Sequence, residues 1–282
     1  MKTPIHIIGE NVERSARSPR LWNKVFSQLD LDYYMEPHDL IIKSEIDLEI
    51  YLSKFPNLLA TAIAYPNKII IDRILNPNLS IYGGINIIKF TSKEKISKNF
   101  DGTGAVFALQ DYLFKTEISE NLMNFTYAII GTGSTGLSFQ EALISLGLQS
   151  KKVFFITSKK NQEKMRIRNS EVLPIDLADL SNLSNLILVN ATPGGSRSFP
   201  YLNPVSQLLR TNKTLDIRLI YDFNYGVENS QIKKFAKAKK YLYLDGLDMN
   251  LYQAVKAIQF AVPECSVISD RQLISIMKDK TS

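Results

Sequence analysis

The stretch Thr126-Tyr127-Ala128-Ile129-Ile130-Gly131-Thr132-Gly133-Ser134-Thr135-Gly136 decides how this chain folds. Its first five residues read as a strand, because apolar and β-branched side chains suit a buried pleat. The strand ends in G-x-G-x-x-G and passes into Leu137, Phe139, Ala142, Leu143 and Leu146, an apolar face at helical spacing. A second apolar run, Val153-Phe154-Phe155-Ile156, completes a βαβ unit. A glycine turn can serve a strand-to-helix corner with no ligand at all. In a βαβ frame, however, the glycines let the backbone approach a pyrophosphate, and the helix N-terminus offers N–H donors and a positive dipole end. Gly131, Thr132, Gly133, Ser134 and Thr135 are therefore candidate cofactor contacts.

The end of the second strand bears on which dinucleotide binds. NAD readers place an acid there for the ribose 2′-hydroxyl. Here the residues are Thr157-Ser158-Lys159-Lys160, with no acid before Glu163. Hydroxyls and lysines suit a 2′-phosphate, so NADP is expected over NAD. The plain alternative is a solvated lysine pair.

Outward from this unit, short β-branched runs alternate with helical patterns along nearly the whole chain. The runs lie at 5–8, 59–65, 85–90, 127–130, 153–156, 186–189, 219–221 and 241–244. Helices are predicted at 104–114, 135–146, 231–240 and 249–262. Another is predicted to begin with Ser18 as N-cap and Pro19 at N1, with Trp22, Val25, Phe26 and Leu29 on one face. The class is α/β with largely parallel sheets. A polar loop at 101–104 marks the expected division into two domains, for which 282 residues leave room.

Composition excludes several functions. Hydrophobic residues make up 45% and charged residues 22%, the balance of a soluble globular chain. No apolar run approaches the ~20 residues of a bilayer span, and no signal-peptide pattern follows Met1. One cysteine, Cys265, rules out an internal disulfide and fits a reducing, cytoplasmic setting. Only His6 and His38 are present, so no metal site is expected. The net charge of +6 reads as solubility, with Lys233, Lys234, Lys237, Lys239 and Lys240 on one solvated helix face. No nucleic-acid docking motif accompanies it. An anionic small molecule uses the charge more economically. Nothing in the sequence separates monomer from homodimer.

Seven short motifs, in order, resemble the shikimate/quinate dehydrogenase family. Gly9, Ser15-Ala16-Arg17-Ser18-Pro19 and Asn23 resemble its N-terminal substrate loop and helix. Pro66-Asn67-Lys68 is similar to the end of its Asn-Val-Thr-x-Pro-x-Lys. Gly84-Ile85-Asn86-Ile87-Ile88 is similar to Gly-Ala-Val-Asn-Thr-Ile, and Asn99-Phe100-Asp101-Gly102 to Asn-Thr-Asp-Gly. Further on come Asn190-Ala191-Thr192-Pro193-Gly194-Gly195, then Asp222 with Tyr225, then Asp245-Gly246-Leu247-Asp248-Met249 with Gln253-Ala254. The resemblance implies a substrate-binding domain at 1–103, a Rossmann-type NADP domain at 104–245, and C-terminal helices at 246–282 returning to the first. It implies a cleft between the domains and reversible hydride transfer between NADP and the ring alcohol of shikimate.

Chemistry and resemblance agree on candidate roles. Oxidising an alcohol needs a group that takes the hydroxyl proton as hydride leaves. An ammonium beside a carboxylate can hold that oxygen, and Lys68 with Asp101 form the candidate pair. Either could move the proton; taken singly, each could be an ordinary helix-start or turn residue. The resemblance implies that Ser15, Ser18, Asn86, Tyr225 and Gln253 contact substrate. It places Asn190, Ala191, Thr192, Pro193, Phe223 and Gly246 along the cofactor.

The departures gather at the substrate end. Ala62 and Ala64 replace the family's Asn and Thr, Phe100 replaces Thr, and Ala16 disturbs the serine pair. Arg14 or Arg17 offers another anchor for a carboxylate. Alternatives in view are a quinate or amino-shikimate dehydrogenase, and a dinucleotide-binding sensor or scaffold without turnover.

Overall fold

A computed structural model describes residues 2–78, 83–118, 120–156, 173–174, 177–193, 215–226 and 230–278. In chain order the first elements are β1 (Thr3–Gly9), α1 (Val12–Ser15), α2 (Ser18–Gln28), β2 (Tyr33–Asp39), α3 (Glu45–Ser53), β3 (Ala60–Ile63), α4 (Asn67–Leu75), β4 (Ile87–Phe90) and β5 (Lys95–Lys98). Then come α5 (Asp101–Lys115), β6 (Thr126–Ile130), α6 (Ser134–Ser145), β7 (Val153–Ile156), β8 (Leu173–Pro174) and β9 (Leu186–Asn190). The last are β10 (Ile217–Asp222), α7 (Gln231–Lys239), β11 (Leu242–Asp245), α8 (Leu247–Ala261) and α9 (Asp270–Met277). The chain divides into two compact units, Met1–Asp101 with Leu251–Ser282, and Gly102–Asn250. Both dividing points fall inside helices, α5 and α8.

The first unit has one sheet in the order β2-β1-β3-β4-β5. β2, β1 and β3 run parallel, whereas β4 and β5 are antiparallel to their neighbours. The antiparallel pair follows from its four-residue connection, closed by Thr91 N–H donating to the Glu94 carbonyl; a parallel crossover needs a far longer one. β1 shows how the sheet is covered. Ile5 and Ile7 meet Trp22, Val25 and Phe26 of α2 and Ile258 of α8. Ile8, on the other face, meets Leu48 and Tyr51 of α3 and Ile71 of α4. Side chains alternate across a strand, so one apolar run of β1 serves two cores.

The second unit has a wholly parallel sheet in the order β11-β10-β9-β6-β7-β8. Numbered from β6, that is 6-5-4-1-2-3, the doubly wound dinucleotide order, with its switch point between β6 and β9. The lysines at 233, 234, 237 and 239 are exposed around α7, and Lys240 is exposed at its left-handed C-cap, so the five do not form the single helix face expected.

Two local expectations change. Ser18 is not a cap: α2 begins at Ser18 itself, and Arg17 before it has helical angles (φ −86, ψ −27) and no side-chain cap bond. An N-cap needs extended backbone, which Arg17's conformation removes. Helix α5 starts at Asp101 rather than 104, so Asp101 is a first-turn residue, where the helix dipole favours a negative charge.

Candidate active site

In the first unit, four of the predicted residues converge. Lys68, on the first turn of α4, donates from Nζ to Asp101 Oδ2. Asp101 Oδ1 accepts from Asn86 Nδ2 at 2.9 Å, and the same amide group donates to Gln253 Oε1 at 3.2 Å. Asn86 Oδ1 in turn accepts from Phe100 N–H at 3.0 Å. Asp101 and Asn86 are buried, while Lys68 and Gln253 are half-buried. The result is an ammonium and a carboxylate held in contact, flanked by two amides that can both donate and accept.

The backbone around this group is fixed by buried polar side chains. Asn67 accepts from Ile42 N–H at 2.9 Å and donates to the Leu40 carbonyl at 2.7 Å, which pins the start of α4 beside Lys68. Asp72, one turn further along α4, accepts from Gly84 N–H and from Asn76 Nδ2, each at 2.9 Å. Asn99 donates to the Gly84 carbonyl and accepts from Asp101 N–H, also at 2.9 Å. Sequence reading did not single out Asp72; the available signal was a lone acid in the apolar run Ile69-Ile70-Ile71-Asp72-Arg73-Ile74.

The remaining substrate candidates are placed as follows. Ser15 ends α1, is exposed, and donates its hydroxyl to the Asn11 carbonyl at 2.7 Å. Ser18 is buried at the start of α2. Asn23 bonds both the N–H and the carbonyl of Met35, at 2.7 and 2.8 Å, and so ties α2 to β2. Ala62 belongs to the apolar cluster of α2 and α8, and Ala16, Ala64 and Phe100 pack against that cluster. Tyr225 lies in the second unit, half-buried on the loop after β10.

In the second unit, the glycine loop joins β6 to α6 at the carboxyl end of the parallel sheet. Gly131 has φ +100, a region open to glycine, and a Cβ there would come within 2.7 Å of Thr192 Cγ2. Gly133 is the N-cap of α6 with no side-chain cap bond, and a Cβ there would meet no described atom within 4 Å. Thr132, Ser134 and Thr135 line the same turn. Across the switch point, Thr192 Oγ1 donates to Asn190 Oδ1 at 2.7 Å and Asn190 Nδ2 donates to Asp222 Oδ1 at 2.9 Å. Asn224 and Tyr243 also donate to Asp222. Burial nonetheless raises the Asp222 carboxyl above the usual carboxylate range, against the opposing bonds from Asn224, Asn190 and Tyr243. Ala191 N–H donates to the Ile130 carbonyl, and Pro193 is exposed. Phe223 turns its ring into Phe139 and Tyr221, while its N–H donates to the Asn190 carbonyl. Gly246 N–H donates to the Asn224 carbonyl. The expected 2′-phosphate residues Thr157, Ser158, Lys159 and Lys160 lie outside the described residues, as do Gly194 and Gly195.

A fold with this sheet order and a glycine turn at its switch point is of the dinucleotide-binding α/β class. Comparison with known proteins narrows the class. No family model matches the chain. A shikimate dehydrogenase (NADP+) from Clostridium botulinum is 26% identical over 257 residues, covering 89% of this chain and 93% of its own. Another from Prochlorococcus marinus is 26% identical over 272 residues, covering 91% and 90%. The crystal structure of shikimate 5-dehydrogenase from Thermus thermophilus, in complex with NADP(H) and shikimate, shares the fold with a TM-score of 0.74 at 18% identity, covering 98% of each chain. Along about nine tenths of its length the protein is similar in sequence to shikimate dehydrogenases.

Proposed function

We propose that this protein is an NADP-dependent oxidoreductase of the shikimate dehydrogenase type, acting on the ring alcohol of a shikimate-like hydroxy acid. The observation that carries this reading is the Lys68–Asp101–Asn86–Gln253 network, in which α8 brings Gln253 to three residues from the first part of the chain. Lys68 donates to the substrate oxygen and stabilises the charge that grows on it as its proton leaves. Asp101 holds the ammonium in place and, with Lys68, forms the pair that takes the proton in oxidation and returns it in reduction. Asn86 and Gln253 bind ring hydroxyls. NADP, when bound, supplies the hydride acceptor or donor. The second unit's residues fit it: no described atom would meet a Cβ at Gly133, which suits a pyrophosphate, and the N-terminus of α6, whose N-cap is a glycine, turns its positive dipole end to that charge.

The apolar residues at 16, 62, 64 and 100 argue for a ring acid that differs from shikimate in its polar groups. A buried hydrogen-bonding group lost from such a site costs roughly 1–3 kcal/mol. The test is NADP+ reduction followed in the near ultraviolet with shikimate, quinate and amino-substituted ring acids, each also run with NAD+. Turnover of at least one ring acid with NADP+ is expected. No turnover of any of them, at protein concentrations where NADP binding is saturated, would overturn the reading.

A further inference from the structure

His6, Glu36 and His38 come together on the face of the first sheet that packs against α3. β1 and β2 are parallel, with His6 opposite Glu36 and Ile8 opposite His38. The three side chains therefore leave the same face, as residues i, j and j+2. Glu36 Oε1 lies 3.2 Å from His6 Nε2 and 3.5 Å from His38 Nε2. All three ligand atoms lie within 4.8 Å of one another.

The two nitrogen-to-oxygen separations are those a small tetrahedral ion imposes. Bonds of about 2.0–2.2 Å at tetrahedral angles put neighbouring ligand atoms about 3.3–3.5 Å apart. The nitrogens are also unsatisfied: neither His6 Nε2 nor His38 Nε2 is aligned for a hydrogen bond, although both atoms are buried. His6 is wholly enclosed, so a bare ring nitrogen there is costly unless something binds it. Its other nitrogen is engaged: Nδ1 lies 2.6 Å from the Tyr51 hydroxyl. With the Nδ1 proton given to that oxygen, Nε2 presents its lone pair toward Glu36, the arrangement that orients metal-binding histidines. Phe55 packs edge-on at 4.5 Å and fixes the ring's tilt. The side chains of His38 and Glu36 are 30% and 39% exposed, which leaves a route from solvent.

We propose that His6 Nε2, His38 Nε2 and a carboxylate oxygen of Glu36 form a binding site for a divalent ion of the zinc class, with water in the fourth position. Composition alone argued against any such site, because only His6 and His38 are present. Register supplies what composition does not. The ion would clamp β2, an edge strand, to β1.

The test is calorimetric titration of Zn2+ into the chelator-treated full chain, repeated with His38→Gln, Glu36→Gln and Tyr51→Phe. One saturable site per chain is expected, with Co2+ giving the visible bands of a four-coordinate ion. His38→Gln and Glu36→Gln should each weaken Zn2+ binding by at least about tenfold, and Tyr51→Phe by about 10–100-fold. Circular dichroism should show all three folded; because Glu36 and His38 stand at the solvent side, either one alone suffices if another variant fails to fold. No saturable uptake by the wild-type chain, or unchanged affinity in a folded His38→Gln or Glu36→Gln variant, would overturn the proposal.

Discussion

Under the proposed function, a lysine beside a carboxylate serves an alcohol oxidation only if a third group keeps the pair from turning away, and Asn86 is placed for that part. Its Nδ2 reaches Asp101 while its Oδ1 is tied to the Phe100 backbone, so the amide cannot rotate without breaking both bonds. Lys68, Asp101, Asn86 and Gln253 were legible in the sequence as separate motif positions. The pairing of Lys68 with Asp101 and the return of Gln253 came from the family resemblance and not from spacing, since Gln253 is brought in by α8. The apolar departures lead to a prediction at this scale. The groups missing at Ala62 and Ala64 would bind substrate in ground and transition state alike, so shikimate should show a raised KM more than a lowered kcat. Ala62→Asn with Ala64→Thr should lower KM for shikimate severalfold. The same change puts polar atoms into or against an apolar cluster, so Tm should fall as well. Wild-type kinetics equal to those of ordinary shikimate dehydrogenases, with no response in the double variant, would make these alanines irrelevant to substrate choice.

Among elements, the central strands announced themselves and the edge strands of the first sheet did not. β1, β3, β6 and β9 are buried on both faces and read as apolar runs. β2 reads Tyr-Tyr-Met-Glu-Pro-His-Asp and β5 reads Lys-Ile-Ser-Lys, and each is an edge of the first sheet. Charges and proline are tolerated where one side of the strand is unpaired, so periodicity is weakest there. The cluster of His6, Glu36 and His38 stayed hidden for the same reason, since it requires the β1–β2 register. Helix α3, which the sequence reading did not predict, begins in the structure with a capping box of Ser44 and Asp47. The turn between β6 and α6 yields a direct prediction. Gly133→Ala should fold normally, because no described atom opposes a Cβ, yet weaken NADP binding by about tenfold or more by filling the approach to the pyrophosphate. Fluorescence titration of NADPH would check this, and unchanged affinity would place the pyrophosphate elsewhere. The sequence Thr157-Ser158-Lys159-Lys160 further predicts tighter binding of NADP than of NAD at physiological salt, measured in the same titration. Equal affinities would leave those lysines as solvated surface.

For the whole molecule, buried charge ties stability to pH through Asp222. Its carboxyl is raised by burial, so the folded chain holds that proton more readily than the unfolded chain does. The group's contribution is full below the ordinary value of 3.8 and is lost as pH rises through the raised one. Asp222→Asn does not titrate, so its Tm relative to wild type should improve as pH rises from about 4 toward neutrality. A relative Tm that is flat or falls over that range would show that the bonds from Asn190, Asn224 and Tyr243 outweigh burial. The division of labour between the two compact units is open to a sharper check. Lys68 belongs to the first unit and the glycine loop to the second, so loss of the ammonium should damage chemistry and spare the dinucleotide. The decisive measurement is kcat for the best ring acid, together with the NADP dissociation constant, in wild type and Lys68→Ala. The expected result is a fall in kcat of about 10²–10⁴-fold with the NADP constant within about twofold of wild type. Full activity in a folded Lys68→Ala variant would contradict the assignment of this site.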